Sequence, residues 1–110
     1  MSAPTGDELV SLMAALASPH RVRILAALAE GRTYVSELAR RLQMNRPLLY
    51  MHLQKLEAAG LVTGELVTAP DGSSVKYVEA VPFTVALTLD AIALAAQSLT
   101  GPAPAAEREK

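Results

Sequence analysis

Apolar residues recur at helical spacing in most of this chain and change to a strand-like habit once, past its middle. In Asp7–Ala17 the stripe is Leu9, Leu12, Met13 and Leu16, and Asp7 and Glu8 occupy the first turn, where the helix dipole favours acids. Ser18-Pro19 marks a break and a new start, with Ser18 as N-cap and Pro19 at the first helical position. The helix that follows carries Val22, Ile24, Leu25 and Leu28, runs to about Ala29 and stops at Gly31. Thr33 to Val35 reads either as a short extended piece or as the lead-in to a helix over Ser36–Leu42. Asn45 is a good N-cap, Pro47 is tolerated in a first turn, and Gly60 supplies a left-handed stop after Ala59. The next helix therefore spans about Arg46–Ala59. Leu38, Leu42, Leu49, Leu53 and Leu56 close one small core between these last two helices.

At about 100° per residue, Leu49, Leu53 and Leu56 point one way on the Arg46–Ala59 helix. Pro47, Tyr50, Met51 and Gln54 point the other way, with Arg46, Leu48 and Lys55 at the margins. A short helix propped by another, with a face of mixed polarity left free, is the helix-turn-helix arrangement that enters a DNA major groove. After Gly60 the pattern changes: Leu61–Ala69 and Val75–Val81 are rich in Val and Thr, and Pro70-Asp71-Gly72 between them is strong turn chemistry. A two-stranded hairpin directly after such a helix is a wing. The predicted fold is mainly α with a two-stranded β wing, a winged helix-turn-helix. Phe83–Leu99 then predicts a final helix, apolar almost all round, with Asp90 its most unusual residue. It is too short and too interrupted by Asp90 for a membrane span. Residues 1–6 read as a flexible N-terminus, 7–99 as one domain, and the Pro/Ala-rich, then charged, residues 100–110 as a disordered tail.

Charge changes the picture more than composition does. The net charge of −1 conceals a segment, His20 to Lys55, with seven basic residues against Glu30 and Glu37. Such segregation predicts a polyanion-facing surface on an acidic body. With 51% hydrophobic residues and no cysteine, the chain predicts helices packed through Ala, Leu and Val, without disulfides or thiolate metal sites. The acidic start of the first apolar run lacks a positive leader, which predicts a cytoplasmic protein with no membrane partner.

The stretches LASPHRVRILAALAEG, SELARRL and NRPLLYMHLQKLEAAGLV, with the hairpin that follows, resemble the ArsR/SmtB family of winged-helix transcriptional regulators. The resemblance spans about Leu9 to Leu99. It implies two copies paired through their first and last helices, a recognition helix in each major groove, and, in many members, release of DNA on binding a metal or other effector. This chain departs from the family pattern in several places. No cysteine stands around Tyr34, Val35 and Ser36, and the last helix keeps Asp90 but no His. Leu48 and Tyr50 stand where small hydroxylated residues are common, and Lys76 is the wing's one basic residue.

These readings define two candidate surfaces. For DNA, Arg46 at the helix entrance is placed for a base edge or a phosphate, and Tyr50 and Gln54 follow on the exposed face with Pro47, Leu48 and Met51. Arg40, Arg41 and Lys55 fall to phosphates, Asn45 to the helix start, and Ser73, Ser74 and Lys76 to the wing's contact with backbone or minor groove. For a homodimer, the candidates are Leu9, Leu12, Met13, Leu16, Phe83, Leu87, Asp90, Ala91 and Leu94. Asp90, in an apolar setting, calls for an Arg or a cap across that interface, since an unpaired buried carboxylate is costly. His52 reads as structural, packing or bonding between helices, and His20 as exposed. With two His and no Cys, no cofactor and no high-affinity metal site are expected, though His and carboxylates such as Asp7, Glu8 or Asp90 could assemble a weak site across a dimer. Control is expected from a partner protein or a small effector. No Gly-rich phosphate loop, Ser/His/Asp set or Cys nucleophile is present, so the chain does not read as an enzyme. The alternative is a winged-helix module that binds another protein instead of specific DNA.

Overall fold

The computed structural model describes residues 3–101. Its elements are α1 (Gly6–Leu16), α2 (Pro19–Leu28), β1 (Thr33–Tyr34), α3 (Val35–Leu42), α4 (Arg46–Ala58), β2 (Val62–Thr68), β3 (Ser74–Ala80) and α5 (Leu89–Ala96). Contacts group Leu12–Phe83 as one compact unit, and Ser11 and the residues before it with Thr84 and those after it as another.

In the Leu12–Phe83 unit the helix boundaries follow local chemistry. The Ser18 hydroxyl accepts from the Arg21 amide at 3.3 Å, with Pro19 beginning α2. Asn45 Oδ1 accepts from the Leu48 amide at 2.8 Å to start α4. The turn between α3 and α4 is made by Gln43 at φ 53°, a left-handed conformation unusual for a residue with a side chain. There the Met44 amide reaches back to the Ala39 carbonyl at 3.0 Å. After α4, Gly60 takes φ 78° and the Leu61 amide returns to the Leu56 carbonyl at 2.9 Å, the glycine stop that the sequence suggests. Ile24, Leu38, Leu49, Leu53, Leu56 and Val78 are the largest fully buried side chains, so α2, α3, α4 and β3 share one core. Leu42 packs against it, half-buried.

The sheet is antiparallel in the order β1-β3-β2. The hairpin register pairs Val62 with Ala80 and runs to Thr68 with Ser74. Its tip closes through Ala69 N–H to the Ser73 carbonyl at 2.7 Å, and Asp71 Oδ1 accepts from both the amide and the hydroxyl of Ser73. Thr33–Tyr34 is the extended alternative for that stretch. It pairs with Val78 and Tyr77 and so adds a third strand to the two-stranded wing expected from the sequence.

The other unit corrects the last helix. It begins at Leu89, not Phe83, because residues 82–88 combine Pro82 with the β-branched Thr84, Val85 and Thr88. Thr88 is extended (φ −125°) and its hydroxyl accepts from the Ala91 amide at 3.0 Å, an N-cap. Asp90 consequently lies in a helix's first turn and is exposed. There the dipole accounts for it, and it needs no buried partner. At the other terminus, Thr5 and Glu8 exchange side chain-to-amide bonds as a capping box for α1. Gly6 sits where a Cβ would collide with the Ala95 carbonyl oxygen and the Leu99 side chain, and its amide donates to Ser98 Oγ at 2.8 Å. Thr100 bonds Asp7. The remaining parts of the expected flexible terminus and tail, residues 1–2 and 102–110, lie outside the described residues.

Candidate nucleic-acid interface

The helix α4 stands on Leu49, Leu53 and Leu56, and their burial turns the opposite face outward. Arg46, Pro47, Tyr50, Met51, Gln54 and Lys55 are all exposed on it, with Tyr50 at 42% and Met51 at 43%. Leu48 is different: it is half-buried and packed against the core, so it contributes little to this face. Asn45 spends its side-chain oxygen on the cap.

Of the seven basic residues between His20 and Lys55, four are engaged within the chain. Arg40 forms a forked pair with Glu37, whose carboxyl is held below its ordinary pKa first by that hydrogen bond. Arg41 reaches Glu30 at 3.0 Å. Arg32 lies 4.3 Å from the centre of the Tyr77 ring and 3.8 Å from Glu65, and Tyr34 meets Tyr77 edge-on. Arg21 turns inward. Among the described residues, no ion pair engages Arg23, Arg46 or Lys55. Exposed pairs such as Arg40–Glu37 are weak, screened by solvent, so a phosphate can displace the glutamate. In the wing, Ser74 is exposed and Ser73 is committed to Asp71. Lys76 lies 3.3 Å from Glu57 near the end of α4.

The partner of His52 lies outside any motif. His52 is buried, and its Nδ1 faces Arg21 Nη1 at 3.0 Å. A guanidinium only donates, so Nδ1 accepts and the ring proton is assigned to Nε2, which is buried without a partner. Arg21 also donates to the Ala15 and Ala14 carbonyls at 2.6 and 3.3 Å. His20, exposed as expected, places its ring 5.1 Å from that of His52. Burial first, then the charge of Arg21, then His20 and Lys55, hold His52 below its ordinary pKa of 6.5. Folded protein thus binds fewer protons at this site than unfolded protein. The contribution is intact above the unfolded pKa and is lost as pH falls through it toward the folded value. Stability measured by denaturant titration should be level from about pH 8 to 7 and decline as pH falls below about 6.5. His52→Gln, which cannot take up a proton there, should flatten that decline.

Three helices with a hairpin wing, the exposed face of the third helix flanked by arginines, define a winged helix-turn-helix DNA-binding protein. Residues 18–63 match the model of the bacterial regulatory protein arsR family. The chain is 41% identical over 71 residues to an uncharacterized HTH-type transcriptional regulator of Methanocaldococcus jannaschii, covering 64% of this chain and 73% of that one. It is 38% identical over 91 residues to the HTH-type transcriptional repressor SmtB of Mycobacterium tuberculosis, covering 83% of this chain and 64% of that protein, so it spans under two thirds of that relative's length. A crystal structure of an ArsR family transcriptional regulator superposes with a TM-score of 0.59 at 28% identity, over 72% of this chain and 76% of that one. The chain belongs to the ArsR family of winged-helix transcriptional regulators, a family of regulators and not of enzymes. Among the described residues no single helix is long and apolar enough to cross a membrane, and no three His, Cys, Asp or Glu cluster as a metal site.

Proposed function

We propose that this chain binds a near-palindromic operator as a homodimer, reading each half-site with α4 and holding the backbone with Arg40, Arg41 and Lys55. The observation that carries the reading is the outward stripe of α4, from Arg46 to Lys55, left exposed by a fully buried leucine face. The dimer is supported by the apolar residues exposed in the other unit: Val10, Leu87, Leu89, Ile92, Leu94 and Leu99 are each 44% exposed or more. Patches of that kind mark association surfaces. Half-sites about one helical turn apart follow from two symmetric recognition helices. With no cysteine in the chain, the family's thiolate metal site has no ligands here, and control falls to a partner protein or another effector.

Gel-shift titration against the protein's own promoter region at two salt concentrations tests the reading. Arg46→Ala is expected to cost about 1–3 kcal/mol and to relax preference at one position per half-site. Arg41→Ala should weaken binding to all sequences alike and flatten the salt dependence. If both variants bind specific sites as tightly as wild type, this surface is wrongly assigned. Absence of binding even at low salt would favour the protein-interaction module, for which the exposed Tyr50 and Met51 are suited.

A further inference from the structure

The wing's one basic side chain is folded back on the protein. Lys76 Nζ lies 3.3 Å from Glu57 Oε2, with the two side chains only 28% and 33% exposed, and 5.8 Å from the centre of the Tyr50 ring. Tyr50 and Glu57 are two helical turns apart on α4 and so share a face. Lys76 therefore ties the middle of β3 to that face of the recognition helix. A second observation concerns the space that the Lys76 side chain crosses. Opposite Lys76's stem stands Gly64 of β2, whose φ is not positive and so demands no glycine. What the position uses is the missing side chain: a Cβ there would lie 2.7 Å from Lys76 Cε and 3.2 Å from Glu57 Oε2.

Charge balance argues that this pairing persists when DNA is bound. Among the described residues, Glu57 Oε2 is buried without a hydrogen bond, and the Lys76 ammonium is the one cation within 4 Å of it. Drawing Lys76 away to a phosphate would leave Glu57 Oε2 buried without its cation beside a polyanion, a loss on both counts.

We infer that Lys76 is a positioning residue, a latch that holds the wing against α4 through Glu57 and beside the Tyr50 ring, and that it withholds its charge from the DNA backbone. The inference rests on the reading of α4 as the groove-binding helix. It predicts opposite outcomes from two conservative variants of the full chain. Glu57→Gln releases Lys76, so the slope of log K against log salt should steepen by about 0.9 per protomer, one new phosphate contact. Lys76→Met keeps the stem and removes only the charge, so the slope should match wild type. A slope flattened by Lys76→Met would make Lys76 a phosphate ligand and overturn the latch, as would an unchanged slope in Glu57→Gln. Either variant decides alone if the other does not fold. Should wild type show no salt-dependent binding at all, the DNA-binding reading fails, and the latch is still decided in the free protein. There the Tyr50 ring resonances should shift in Lys76→Met while those of Tyr34 stay in place. Unmoved Tyr50 resonances would overturn it.

Discussion

Arg21→Ala should destabilise the Leu12–Phe83 unit by about 2–3 kcal/mol, read as a lower midpoint in urea with little change in slope. One guanidinium serves three acceptors: Ala14 and Ala15 carbonyls in the last turn of α1, and His52 Nδ1 on α4. Helix-terminal carbonyls have no partner within their own helix, and a cation beside them is favourable. Truncation also strands His52, whose second ring nitrogen is already without a partner. Charged hydrogen bonds contribute about 1.5–3 kcal/mol each but not additively, and Arg21 is partly exposed, so the sum is held below three separate bonds. Arg21→Lys should recover only part of the loss, because a point ammonium cannot span three divergent acceptors. Removing the charge beside His52 should also make the acid decline shallower. An Arg21→Ala protein as stable as wild type would show that these contacts are dispensable.

Leu94→Glu should convert the protein to a monomer and lower operator affinity by roughly 10²–10⁴, the gain that linked binding of two half-sites provides. Leu94 is 59% exposed, so a carboxylate there costs the folding of one chain little. The same carboxylate buried against a second copy would be desolvated without a partner. Sedimentation at micromolar concentration separates the outcomes. A variant that remains dimeric would place the interface elsewhere, and a wild type that sediments as a monomer would overturn the homodimer.

The helix-turn-helix was legible because each boundary is enforced locally. Ser18, Asn45 and Gly60 act on groups within a few residues of themselves, and the leucines of α3 and α4 keep helical spacing. The hairpin was legible for the same reason, from its Pro-Asp-Gly tip. Where the reading failed, a local signal was present but outvoted. Thr88 with Asp90 two residues on is a helix start, yet the apolar run from Phe83 drew the boundary six residues early. Thr5 and Glu8 likewise form a capping box in what reads as a loose end. Other features are decided by partners distant along the chain, which left Thr33–Val35 with two readings and His52 without a named partner. Thr33–Tyr34 becomes a strand only because β3 lies beside it, and the partners Arg21–His52 and Glu57–Lys76 are joined by tertiary packing. The expected surface arginines were found, but several already hold acidic neighbours, a detail that counting charges cannot reveal.

Two residues of β1 have a consequence for the order of events in folding. Thr33 meets Val78 and Tyr34 meets Tyr77, so the whole of α3, α4 and β2 lies inside a loop of chain clasped by one short ladder. Helices and the hairpin form from neighbours in sequence, within about microseconds. The clasp joins segments far apart along the chain and must wait for both, at a closure cost that grows only as about (3/2)RT ln n. The low-contact-order parts are therefore expected to assemble first and the ladder last, an order that pulse-labelled hydrogen exchange at the Thr33 and Tyr34 amides would check. In reverse, this shortest strand is the natural place for opening to begin, which releases the base of the wing while the helical core is still intact.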